Sequence, residues 1–151
     1  MSSEAITLVD AIVAELNTTT SPFVFSFKAV RRMAPFASVE LDELKDLNVL
    51  AFVGSSRRER STRNKFSRYY KPVIAIQRRL DGLDDSSRTA HADQLTELVE
   101  QIEDALEGKD LGGMSFIGFD TEQDREAFNA AAMQAISFFS TAIIPEYQSK
   151  S

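Results

Sequence analysis

The chain has 151 residues and a mass of 16.8 kDa, the size of one ordinary domain. It contains no cysteine, which excludes disulfides, thiolate metal sites and cysteine nucleophiles, and no apolar run reaches the roughly 18–20 residues a membrane-crossing helix needs. A hydrophobic fraction of 43% against 26% charged residues, with eleven Phe and no Trp, describes a folded chain with a Phe-rich core and a net charge of −6.

The opening Met1-Ser2-Ser3-Glu4 lacks the basic stretch of a secretory signal, so we expect a protein made and folded in a reducing cytoplasm, compatible with later release in a particle. Residues 4–16 read as a helix with Ile6, Val9, Val13 and Leu16 on one stripe. Ser2 or Ser3 can cap it, and Glu4 suits the positive end of its dipole. Asn17, three threonines, Ser21 and Pro22 end it. Residues 23–33 alternate, with Phe23, Phe25, Phe27 and Ala29 on one face and Ser26, Lys28 and Arg32 on the other, which predicts a half-buried strand. A connection with Pro35 and the acidic run 39–46 follows and can form one helical turn.

Residues 47–53 form a short apolar run that predicts a strand covered on both faces. Residues 66–80 alternate again, placing Phe66, Tyr70, Ile74 and Ile76 on one face with Arg68 and Arg78. The pair reads as a long antiparallel hairpin, anchored in the core by those four apolar residues. Pro72 cannot donate a ladder hydrogen bond and is expected at an edge or a bulge. After a turn-forming stretch at 80–87, residues 89–107 read as an amphipathic helix with Leu95, Leu98, Val99, Ile102 and Leu106 inward. Gly108 stands where a glycine ends a helix in the left-handed conformation. Residues 109–124 suit a loop or short strand and 122–129 a short helix. A strand is expected over about 132–144, with a helical C-terminus as the alternative. The fold class is α+β: one domain over 1–151, with a mixed or antiparallel sheet of about four strands packed against two helices.

The chemistry-bearing residues are sparse. His91 is the only histidine, has no His-x-x-x-His partner, and reads as a solvent-facing helix residue. No Gly-x-Ser-x-Gly elbow supports a serine triad. Gly112-Gly113 and Gly118 lack the Gly-Lys-Ser/Thr ending of a phosphate loop. The carboxylates at 97–104 read as a solvated helix face rather than an acid/base pair. We therefore expect no enzyme, no cofactor and no metal.

The hairpin is different. Between residues 54 and 79 stand Arg57, Arg58, Arg60, Arg63, Lys65, Arg68, Lys71, Arg78 and Arg79 against Glu59 alone. That is +8, which leaves −14 on the rest of a chain whose total is −6. A polarised chain of this kind has one surface suited to an anionic partner. Edge protection by charge is the plain alternative, but mixed charges would serve it equally. The contact residues expected are Arg57, Arg58, Arg60, Arg63, Lys65 and Arg68, facing an acidic protein surface in preference to nucleic acid. Phe66, Tyr69 and Tyr70 interleave with the basic residues as a single-strand stacking platform would require.

The order helix, strand, long hairpin, helix, strand resembles the tail terminator (tail completion) proteins of long-tailed bacteriophages. The likeness is carried by Val9-Asp10-Ala11-Ile12-Val13-Ala14-Glu15-Leu16, by the strand at 27–32, and by Leu41-Asp42-Glu43-Leu44-Lys45-Asp46-Leu47-Asn48-Val49, which is similar to that family's acidic lead into a strand. The stretches 70–79 and 95–106 follow in the family's order. Its aromatic-proline feature is represented by Met33-Ala34-Pro35-Phe36, a departure from the usual form. The resemblance implies a structural virion protein at the head-proximal end of the tail. There a homohexameric ring would stop growth of the tail tube and bind tube and neck or connector proteins. DNA would pass through the lumen without sequence-specific contact. Arginines gripping that DNA would act as brakes, so the resemblance favours a protein neighbour for the hairpin.

Overall fold

A computed structural model describes residues 3–18, 23–25, 27–32, 47–63, 65–79, 85–120 and 138–149. Two helices, α1 (Glu4–Thr18) and α2 (Asp85–Leu106), accompany six strands: β1 (Ala29–Arg31), β2 (Asn48–Thr62), β3 (Lys65–Arg79), β4 (Met114–Phe119), β5 (Phe138–Ile143) and β6 (Pro145–Ser149). They form one sheet in the order β1-β2-β3-β6-β4, with β5 also paired to β3. Among the described strands β1 and β2 run parallel and the other pairings are antiparallel. The α+β class with a mixed sheet is as expected, with six strands among the described residues against about four expected.

The helices show how tertiary packing selects among apolar residues. In α1 the buried residues are Leu8, Val9, Ile12 and Leu16, while Ile6 is 37% exposed. The expected stripe was therefore rotated by part of a turn: this helix is apolar enough for two overlapping stripes, and the sheet chose one. In α2 the five expected residues Leu95, Leu98, Val99, Ile102 and Leu106 are all buried, because its acidic flanks leave a single stripe. The helix starts at Asp85, earlier than its periodicity indicated. Gly108 adopts φ 73° beyond its end, and Lys109 N donates to Leu106 O at 3.1 Å. One buried cluster joins Leu8, Ile12, Ile74, Ile76, Leu98, Ile102, Ile143 and Tyr147.

The strand expected over 23–33 reduces to Ala29–Arg31. Its upstream backbone is satisfied by helix side chains instead of a ladder: Val24 N donates to Gln101 Oε1 at 2.8 Å. Asn17 clamps Ala29 from both sides, its Nδ2 donating to Ala29 O at 3.0 Å and its Oδ1 accepting from Ala29 N at 2.8 Å. Phe23, Phe25 and Phe27 are partly buried against the core, so their alternation reflected ring packing in a non-strand segment.

Within the range expected for a strand, 132–144, the described residues form β5 (Phe138–Ile143), and a further strand, β6, follows from Pro145. β5 pairs with β3 over Ile74–Arg79 and β6 pairs with it at Tyr69 and Tyr70, leaving Pro72 between the two partners. On its other side the β2–β3 register shifts between Phe52↔Val73 and Ser55↔Lys71. Pro72 thus lies opposite a bulge, as a residue without an N–H should. Gly54 occupies that bulge; a Cβ there would stand 2.0 Å from the Lys71 carbonyl oxygen. Within 109–124 the short strand is β4, entered through Gly112 (φ 61°) and Gly113 (φ 76°). The expected acidic connection at 35–46, the turn at 80–84, the helix at 122–129 and the start of the strand at 132–137 lie outside the described residues.

Candidate functional site

The hairpin formed by β2 and β3 reaches past the rest of the sheet. β6 pairs with β3 in the ladder no further out than Tyr69; past it Arg68 N donates to Ser149 Oγ at 3.3 Å and Gln148 Nε2 to Ser67 Oγ at 3.4 Å. Beyond that point residues 57–63 and 65–68 form a two-stranded ribbon. β2 extends the apolar run 47–53 through the bulge and carries Arg57, Arg58 and Arg60 within its ladder, as the first strand of the expected long hairpin.

The bulge also decides which way they face. Inside it, Val49 pairs with Ile76 and Ala51 with Ile74, so odd residues of β2 face the core. Outside it, Ser56 pairs with Tyr70, Arg58 with Arg68 and Arg60 with Phe66. One extra residue exchanges the two faces of the strand. Arg58, Arg60 and Arg68 consequently share the side of the sheet that α1 covers further in, where the Tyr70 hydroxyl donates to Glu4 Oε2 at 2.7 Å. Burial, with the Glu4 bond second, holds the Tyr70 pKa above its usual value.

The opposite face carries Arg57, Glu59, Tyr69 and Lys71. The Arg57 guanidinium lies 4.0 Å from the Tyr69 ring centroid, pairs with Glu59, and reaches Glu146 Oε1 on β6 at 3.3 Å. The Glu146 bond is the main reason its pKa is raised. Lys71 pairs with Asp120 at 3.4 Å. On the first face, by contrast, Arg58 and Arg60 each stand 5.3 Å from the Phe66 ring centroid. Among the described residues no carboxylate lies within ion-pair distance of Arg58, Arg60, Arg63 or Arg68. A groove of about 360 Å³ opens between Ser56, Arg57, Arg58, Arg68 and Tyr70.

Two expectations need correction. Phe66 was expected to anchor the hairpin in the core with Tyr70, Ile74 and Ile76; those three are buried, but Phe66 is 41% exposed. It lies beyond the last β6 pairing, so nothing in the sheet covers it. His91 was expected to face solvent; it is half-buried, with Nδ1 3.3 Å from Arg78 Nη1, and Arg78 lies over Phe25 at 5.5 Å. Arg78 therefore belongs to the interior contacts and not to the basic surface. Of the six contact residues expected, the ribbon brings Arg58, Arg60 and Arg68 onto one face, Arg57 onto the other, and Arg63 and Lys65 to its exposed end. Glu146, which fixes Arg57, was missed; it lies 89 residues away in sequence and gives no local signal.

Among the described residues no group of three or more His, Asp and Glu is placed to hold a metal ion, and no helix is long and apolar enough to cross a membrane. No family profile and no curated protein matches the sequence. The fold does have a counterpart. A chain of the virion of a native gene transfer agent particle superposes with a TM-score of 0.54 at 13% identity, over 98% of this chain and 98% of that one. At that identity the likeness is one of fold, and it runs from end to end of both chains.

Proposed function

We propose that the chain is a non-catalytic structural subunit of a phage-like virion, of the tail-terminator kind. Copies close into a homohexameric ring at the head-proximal end of the tail tube, stop tube growth and join the tail to the neck. Assembly takes place in the host cytoplasm, and DNA passes through the lumen without sequence-specific contact. The observation that carries this reading is the fold shared along 98% of both chains with a gene transfer agent virion protein. The ribbon adds to it: a projecting pair of strands on which Arg58, Arg60 and Arg68 have no carboxylate partner among the described residues is an element suited to reaching a neighbouring protein.

Sedimentation of the purified protein followed by electron microscopy of the heavy fraction tests the ring. Closed rings of uniform size are expected, in solution or on added tail tubes; a protein that neither forms rings nor binds tubes would contradict it.

The second reading, a nucleic-acid-binding module, draws on one observation. Phe66 is exposed between Arg58 and Arg60, the arrangement on which an unpaired base stacks. Binding of labelled single-stranded DNA with a log-log salt slope of several phosphates, by a protein that stays monomeric, would favour that reading.

A further inference from the structure

We propose that the partner of the ribbon's arginine face is a second copy of this chain, docked through the exposed side of α2. The docking element is the ribbon. Arg58, Arg60 and Arg68 share one of its faces and have no carboxylate partner among the described residues. An arginine face of this kind selects an acidic surface of matching length. From residue 57 to residue 63 the ribbon extends about 20 Å at the rise of a strand.

Among the described residues one surface answers that description. Between residues 89 and 107 there are six carboxylates and no Lys or Arg. Asp93, Glu97, Glu100, Asp104 and Glu107 follow steps of four, three, four and three, so they line one side of α2, and all five are exposed. Fourteen residues of helix make that stripe about 21 Å long. No ion pair joins the stripe to the ribbon within one copy among the described residues. The buried stripe of α2 is fully used against the core, so the acidic side is what the helix offers outward.

A contact between two different patches of identical chains is heterologous, and repetition of it closes into a ring when the rotation allows. The pairing rests on the ring reading and gives that ring its interface: the ribbon of each subunit lies on α2 of the next. Charge at such an interface fixes register and partner choice more than it adds affinity.

Two charge-reversed proteins test it. One carries Arg58→Glu, Arg60→Glu and Arg68→Glu; the other carries Glu97→Lys, Glu100→Lys and Asp104→Lys. Mass is measured by sedimentation at about 0.1 M and about 1 M salt, between which the Debye length falls from about 10 to about 3 Å. Wild type is expected to assemble at the lower salt and to weaken at least tenfold at the higher. Each reversed protein alone should be monomeric, since its like charges now face each other. Their equimolar mixture should regain the assembly with the two proteins in equal numbers, because both interfaces of an alternating ring are again complementary. The neutral Arg58→Gln, Arg60→Gln, Arg68→Gln protein, with melting checked against wild type, separates lost docking from lost folding. It should assemble at least tenfold more weakly than wild type.

Rings formed by either reversed protein alone, or a mixture that stays monomeric while wild type assembles, would overturn the pairing and leave the ring reading standing. A wild type that remains monomeric at the lower salt overturns the pairing too, and the ring reading is then judged on tubes. A DNA gel shift lost in the Arg→Glu protein while its rings persist would reassign the ribbon to nucleic acid.

Discussion

Gly54 is where a single methyl group should do the most harm. A Cβ at that position would stand 2.0 Å from the Lys71 carbonyl oxygen and 3.1 Å from Val73 Cγ2. Ordinary contact needs more than 3 Å, so a backbone carbonyl in the paired strand must retreat by about 1 Å. Overpacking of this kind costs about 1–3 kcal/mol, and each ladder bond lost around the bulge adds about 1 kcal/mol. Gly54→Ala should therefore destabilise by about 3 kcal/mol and lower Tm by roughly 6–12 °C for a chain of this size. Thermal melting measures the total. Hydrogen exchange locates it, since amides at 52–56 and of Tyr70, Lys71 and Val73 should lose protection while those of α2 keep theirs until global unfolding. Gly118→Ala is the control, since nothing lies within 4 Å of its added Cβ; it should stay within about 1 kcal/mol of wild type. A Gly54→Ala protein that melts within about 2 °C of wild type would refute the close approach.

Tyr147 is fully buried, and its hydroxyl has no hydrogen-bond partner among the described residues, so Tyr147→Phe should be neutral or stabilising by about 1 kcal/mol in urea titrations. Burial raises the Tyr147 pKa above its ordinary value of 10. The unfolded chain therefore ionises this group first, and stability should fall as pH rises above about 10, by up to ~1.4 kcal/mol per unit for this group. Tyr147→Phe should remove that share, and an unchanged alkaline slope would refute it. Asn17→Ala should cost about 2 kcal/mol, because both hydrogen bonds to Ala29 vanish together. Asn17→Asp keeps the acceptor for Ala29 N but not the donor, so chemical denaturation should place it between the two. The Arg58→Glu, Arg60→Glu protein should melt within a few degrees of wild type, since among the described residues these exposed groups hold no ion pair and surface changes typically stay within ~0.5 kcal/mol each.

What the sequence disclosed depended on how much of each element's environment was local. The stripe of α2 was legible because acidic residues surround it and leave one way to bury five apolar side chains. Pro72 at a bulge was legible because a missing N–H restricts it wherever it falls. The stripe of α1 was not, since Leu8 and Ile12 compete with Ile6 and Val13 and only the sheet decides between them. Phe23, Phe25 and Phe27 imitated a strand because period-two burial arises equally from a looped segment whose backbone is held by Asn17 and Gln101. The basic ribbon was legible as charge. Its division into a tethered face with Arg57 and an open face with Arg58, Arg60 and Arg68 was not, because it hangs on one inserted residue at the bulge and on Glu146 in a distant strand.

The most direct measurement of the proposed function is made on particles. Electron micrographs of tails assembled with and without this chain should differ at the head-proximal end. With it, a ring should cap tubes of uniform length that are joined to heads. Without it, tubes should overrun their length and remain unjoined. Tails of normal length joined to heads in its absence would contradict the account.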